Sequence, residues 1–97
     1  MEKKKIIFIM NPISGTVSKA GIPNLIDKYI DHDIFDYEIV NTEYAGHAAI
    51  IASKAKEDNI EIAVAVGGDG TVNEVARAIV DSNTALGIIP CGSGNGL

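Results

Sequence analysis

A three-layer α/β sandwich built on a parallel sheet is the fold class that the sequence predicts, and three observations carry that prediction. Residues 6–10 and 60–66 form apolar runs of strand length without the alternation of a half-exposed strand, as strands covered on both faces do. Helical stripes of apolar residues fall between the strand-like runs, so that strands and helices alternate along the chain. Unusual loops follow the first, third and fourth strands, where open parallel sheets bind their ligands.

The first strand, residues 6–10, is bounded by the breaker pair Asn11-Pro12. Around Leu25, Ile26, Tyr29 and Ile30 one apolar face recurs at helical spacing, and Pro23 is tolerated in a first turn. Residues 35–42 begin with a period-two alternation that suits a strand nearer an edge. From Ala45 onward, Ala48, Ile51, Ala52 and Ala55 recur at i, i+3, i+4 and i+7, which marks a second helix. Residues 60–66 carry one polar side chain, Glu61, and read as a central strand that stops at Gly67. Val72, Val75, Ala76, Ile79 and Val80 mark a third helix, and residues 86–89 form a fourth strand ending at Pro90. The order is βαβαβαβ with right-handed crossovers, a Rossmann-like arrangement. If the first, third and fourth strands are neighbours, their three loops face one crevice.

The chain has 97 residues, which accommodates one domain, residues 1–97, and 46 % of them are apolar, enough for a core without disulfides. Cys91 is the single cysteine, and it reads as a small filler rather than a nucleophile. No segment approaches the roughly 20 apolar residues of a membrane span. Residues 1–10 resemble a signal peptide only in their basic start, because the apolar run is about half the usual length. The expectation is a cytoplasmic protein without a transmembrane segment. A formal net charge of −5 excludes nucleic-acid binding by bulk electrostatics, and Lys3, Lys4 and Lys5 read as a solvated lead-in to the first strand.

Gly67, Gly68 and Gly70 surround Asp69, and such a loop lets the backbone approach a ligand closely and present N–H groups to an oxyanion. Thr71 followed by Glu74 fits a capping box, which would start the third helix at the loop. A helix N-terminus attracts phosphate, whereas Asp69 opposes it unless a cation bridges the two, and Mg²⁺ does so in nucleotide sites. Asp69 is therefore the candidate catalytic and metal-network residue. Gly92, Ser93, Gly94 and Asn95 offer a second donor cluster, and Ser14 with Gly15 a third. The plain alternative is a tight strand-to-helix turn in which Asp69 and Glu74 only cap. His47 reads as a surface or packed histidine, His32 as solvated, and two separated histidines with one cysteine give no zinc-type spacing. Neither the P-loop lysine motif nor a complete GxGxxG is present.

Taken in order, Asn11-Pro-Ile-Ser-Gly15, Thr42-Glu-Tyr-Ala-Gly-His-Ala48, Gly67-Gly-Asp-Gly-Thr-Val-Asn-Glu-Val75 and Leu86-Gly-Ile-Ile-Pro-Cys-Gly-Ser-Gly-Asn95 resemble the bacterial lipid kinases with a diacylglycerol kinase catalytic domain. The Gly-Gly-Asp-Gly-Thr segment is shared with NAD kinases, while Val72-Asn-Glu-Val75 and the later Gly-Ser-Gly-Asn are similar to the lipid and sphingosine kinases. The resemblance implies an ATP-dependent lipid kinase, with ATP bound by Asn11, Ser14, Gly15, Thr42, Gly67, Gly68, Asp69, Gly70, Thr71, Asn73 and Ser93. Gly92 and Asn95 join that set from the second donor cluster, and the resemblance puts Asp69 in the Mg²⁺ network. Ser93 stands where many bacterial members have Thr, and Asn95-Gly96 where they have an acidic or Asn-Asp pair.

Such kinases are similar in having a second, β-rich domain that supplies further metal ligands, the general base and the lipid site. This chain is expected to be a fragment cut before that domain, inactive as a lipid kinase by itself. The full-length protein is then a cytoplasmic enzyme that meets its lipid at the inner membrane surface, with homo-oligomerisation and the acceptor lipid left open. Two rival readings stand beside this one, an NAD kinase-like enzyme and a non-catalytic nucleotide-binding module.

Overall fold

The computed structural model describes residues 3–12 and 21–90. They form β1 (Lys4–Met10), α1 (Ile22–Tyr29), β2 (Phe35–Asn41), α2 (His47–Glu57), β3 (Ile62–Gly67), α3 (Asp69–Ile79) and β4 (Ala85–Pro90). The sheet is parallel throughout, in the order β2-β1-β3-β4. The expected α/β class and element order are what the chain adopts, and β1, β3 and β4 are indeed consecutive neighbours. The period-two pattern of β2 places it at one edge.

Both faces of β1 and β3 are buried, which accounts for their unbroken apolar runs. Ile7, Ile9, Ala63 and Ala65 point to α2 and α3 and pack with Ala48, Ala52, Ala55, Val75 and Ile79. Ile6, Phe8, Met10, Val64 and Val66 point the other way, where Ile26 of α1 meets them. The α2 side is alanine-rich, so the helix backbone can lie close to the sheet. On the α1 side Phe8 meets Tyr37 edge to face at a centroid distance of 5.9 Å.

Several boundaries shift. β1 takes in the exposed Lys4 and Lys5, and β3 begins at Ile62 because the Ile60 amide donates to Ala55 O at the end of α2. Ile60 is still buried, and its carbonyl accepts a 2.8 Å hydrogen bond from Thr84 Oγ1. Of the face expected for α1, Ile26 is buried, whereas Leu25 and Tyr29 are exposed and Ile30 caps the helix. Val80, expected in the third helical stripe, lies beyond the end of α3 and is exposed.

The start of α3 is the substantive correction. The helix begins at Asp69 with Gly68 at the N-cap position, and no side chain caps it, so Thr71 and Glu74 form no capping box. Thr71 is buried and its side chain lies against Gly67: a Cβ placed on Gly67 would meet Thr71 Oγ1 at 2.9 Å. Packing against the end of β3 thus outweighs the local capping preference.

Candidate functional site

Strand register brings the carboxyl ends of the sheet together. Met10 pairs with Asn41 on one side and Val66 on the other, and Gly67 pairs with Pro90. The Asn11 amide donates to Val66 O at 3.1 Å and the Thr42 amide to Met10 O at 2.8 Å, which fixes both residues at that edge. Between β1 and β3 the strand order reverses, since α1 leads away from β1 on one face while α2 and α3 return on the other. Such a reversal opens a crevice between neighbouring loops.

The crevice here is a cleft of about 370 Å³. Asn11, Pro12 and Thr42 form its floor at the strand ends, and Gly70, Thr71 and Glu74 of α3 form one wall. Glu43, Tyr44, Ala45 and Ala48 form the opposite wall, at the entry to α2. Both α2 and α3 thus direct N-termini toward it, headed by Gly46 and Gly68, and neither terminus carries a side-chain cap. First-turn N–H groups of this kind suit an anion.

The α2 wall rests on a tight turn. The His47 amide donates to Tyr44 O at 3.1 Å, and Gly46 adopts φ 90° and ψ −12°, the third-position geometry of a type II turn that glycine accepts without strain. The turn brings the Tyr44 and His47 rings into a stack, 4.4 Å between centroids and 12° between planes. His47 Nδ1 accepts a 2.9 Å hydrogen bond from the Glu43 amide. His47 is therefore a packed histidine. Tyr44 and Glu43 stand within the quoted Thr42–Ala48 motif but were given no role of their own; the Ala45-Gly46 pair, a type II turn signal, was the available clue.

Of the predicted site residues, Asn11, Thr42, Gly70 and Thr71 line the cleft together. Gly67 and Gly68 lead into α3 behind it. Asp69 is exposed at the first residue of α3, next to Gly70, and is not itself among the residues that line the cleft; Asn73 is exposed further along the same helix. Ser14, Gly15, Gly92, Ser93 and Asn95, and Cys91 with them, lie outside the described residues. Lys3, Lys4 and Lys5 stand at the amino-terminal end of β1, the opposite end of the sheet from the cleft, and Lys3 approaches Asp36 at 3.9 Å on the surface.

Charge decides what an anionic ligand would need. Among the described residues no lysine or arginine lines the cleft, whereas Glu43 and Glu74 do, and Asp69 adds a carboxylate one residue before the lining Gly70. Two helix N-termini offset part of that negative charge. A polyphosphate would still require a cation between its oxygens and these carboxylates. Among the described residues no group of three or more His, Cys, Asp or Glu side chains is placed to hold a metal by itself. Glu43 and Glu74 are the carboxylates that line the cleft, and Mg²⁺ is an ion that takes one or two carboxylates and fills its shell from phosphate and water. No helix among the described residues is long and apolar enough to cross a membrane.

Comparison with known proteins places the arrangement. A profile described as "Diacylglycerol kinase catalytic domain" matches residues 5–97. The chain is 35 % identical over 96 residues to a diacylglycerol kinase of Staphylococcus saprophyticus, covering 96 % of this chain and 31 % of that protein. It is 33 % identical to a diacylglycerol kinase of Staphylococcus aureus, of which it covers 30 %. The chain thus spans about a third of the length of these relatives. Among solved structures, a diacylglycerol kinase from Bacillus anthracis superposes with a TM-score of 0.72 at 25 % identity, over 98 % of this chain and 35 % of that one. A phosphate-loop protein shares the fold alone, with a TM-score of 0.57 at 18 % identity. With the profile spanning nearly all of its residues and its fold superposing on a member's, this chain belongs to the diacylglycerol kinase catalytic domain family.

Proposed function

We propose that this chain is the ATP-binding part of a lipid kinase that transfers the γ-phosphoryl group to a lipid hydroxyl, diacylglycerol or a similar acceptor. One observation carries the reading: Asn11, Thr42 and the uncapped N-terminus of α3 converge on one cleft at the carboxyl edge of the sheet, and Asp69 is the first residue of that helix. The relatives' names supply the lipid acceptor, and the cleft supplies the reason for a nucleotide.

In this reading the floor residues Asn11 and Thr42 orient the nucleotide, and first-turn amides of α3 face its phosphates. Gly67, Gly68 and Gly70 keep the backbone thin enough for that approach. Ser14, Gly15, Asn73, Gly92, Ser93 and Asn95 complete the proposed binding set. Asp69 would belong to the network that holds Mg²⁺, an ion that would neutralise charge building on the transferred phosphoryl group. Phosphoryl transfer asks the protein chiefly for alignment and charge balance, and both are tasks of this cleft. The acceptor site and general base are assigned to the part of the full-length protein beyond this chain. The full-length protein is proposed to meet its lipid as a peripheral protein at the membrane surface.

The test is Asp69→Asn in the full-length enzyme. Asn keeps the size and turn tolerance of Asp but loses the charge that can hold Mg²⁺ against phosphate. Turnover at saturating Mg²⁺ and ATP is expected to vanish while circular dichroism and melting stay at wild-type values. Near-normal kcat in a folded variant would eliminate the metal-network role.

A further inference from the structure

We infer that the Tyr44 ring is the platform on which the nucleobase stacks, and that His47 is the positioning residue that holds the platform still. The inference rests on the nucleotide reading above and adds to it the site of the base.

Among the described residues Tyr44 is the one aromatic side chain lining the cleft, and it is 58 % exposed. An exposed tyrosine ordinarily samples several rotamers, which makes it a poor stacking surface. This one is restrained three ways. Its ring lies flat on His47, with 12° between planes and 4.4 Å between centroids. Its carbonyl accepts the His47 amide at 3.1 Å, which closes the turn through Gly46. His47 in turn is fixed by the Glu43 amide donating to Nδ1 at 2.9 Å.

That last bond has a chemical consequence. A ring nitrogen that accepts an N–H carries no proton of its own, so the neutral imidazole keeps its proton on Nε2. His47 lies outside the cleft lining, so it backs Tyr44 instead of contacting the ligand. Tyr44 then offers an apolar π face in a wall otherwise made of Glu43 and two alanines, Ala45 and Ala48. Phosphate has no use for such a surface, whereas a purine does. The cleft thus divides its work, with the helix α3 end suited to phosphates and the Tyr44 wall to the base. Because every base has a π face, the platform strengthens binding of the nucleoside part and leaves discrimination between bases to other contacts.

The experiment is calorimetric titration of the protein with MgATP and, separately, with magnesium tripolyphosphate, which has the phosphates and no base. Tyr44→Ala is expected to weaken MgATP binding roughly 5- to 150-fold, the range for loss of one base stack, and to leave tripolyphosphate binding unchanged. Tyr44→Phe retains a π face and is expected to bind MgATP like the wild type. His47→Ala should weaken MgATP selectively by a smaller factor, and His47→Asn, which restores an acceptor for the Glu43 amide, should recover part of the loss. A purely structural defect would move both ligands together. Equal weakening of both, or a Tyr44→Ala variant that binds MgATP as the wild type does, overturns the platform while nucleotide binding stands. A wild-type protein that binds tripolyphosphate but not MgATP more tightly also overturns it, and one that binds neither overturns the nucleotide reading as well.

Discussion

Gly67→Ala tests the contact that sets where α3 begins. A methyl group at this position would sit 2.9 Å from Thr71 Oγ1, 3.1 Å from its Cβ and 3.5 Å from its Cγ2. Carbon pairs prefer about 3.5 to 4.0 Å, and the obstacle is a buried, β-branched side chain that cannot swing aside. Overpacking of this kind costs about 1 to 3 kcal/mol. Gly67 does not occupy the left-handed region, so alanine meets no backbone strain there and recovers about 0.4 to 1 kcal/mol by restricting the unfolded chain. The net expectation is a loss of up to about 2.6 kcal/mol, centred on about 1.3 kcal/mol, which is roughly 5 to 10 °C in Tm for a domain of this size. Thermal denaturation of Gly67→Ala, Thr71→Ala and the double variant checks it as a cycle. Because Thr71→Ala removes the closest atom, the double variant should be more stable than the sum of the singles by about 0.5 to 2 kcal/mol. A Gly67→Ala protein that melts at or above the wild type, or strictly additive effects, would refute the reasoning.

Two further outcomes follow from contacts away from the cleft. Thr84→Val removes the donor that satisfies Ile60 O at 2.8 Å in a buried setting, and should cost about 1 to 3 kcal/mol in a denaturant titration, with Thr84→Ser largely restoring it. Tyr37 donates to Asp27 Oδ1 at 3.0 Å, and desolvation, then the Asp27 hydrogen bond and charge, raise its phenol above the ordinary value of 10.0. The bond needs the neutral phenol, so its stabilisation is full below pH 10 and fades as pH rises through the raised value; melting followed from pH 8 to 11 should show that decline, and Tyr37→Phe should flatten it.

Much of the fold was legible because burial leaves a pattern in the sequence. Runs apolar on both faces marked β1 and β3, and the alternation of Phe35, Tyr37 and Ile39 marked an edge. The adjacency of β1 and β3, on which the cleft depends, was conditional, because pairing of strands distant in sequence leaves no local signature. Capping chemistry misplaced the start of α3, since Thr71 and Glu74 satisfy a local rule that the contact with Gly67 overrides. The Tyr44 and His47 stack was not legible either. It depends on one backbone angle, at Gly46, that turns residues three apart face to face.

The alanine seam beneath α2 gives the cleft a property that its own lining does not reveal. Ala48, Ala52 and Ala55 are buried on one face of the helix, against Ile7, Ile9, Ala63 and Ala65, and Ala48 also borders the cleft. A methyl group is the smallest carbon side chain a helix can rest on, so the alanines let α2 lie close to the sheet. The seam therefore works as a spacer gauge for the Tyr44 wall. A larger side chain at Ala52, such as valine, would wedge the helix outward and widen the mouth of the cleft, so that the width of the cleft is set from the core by a residue that does not line it.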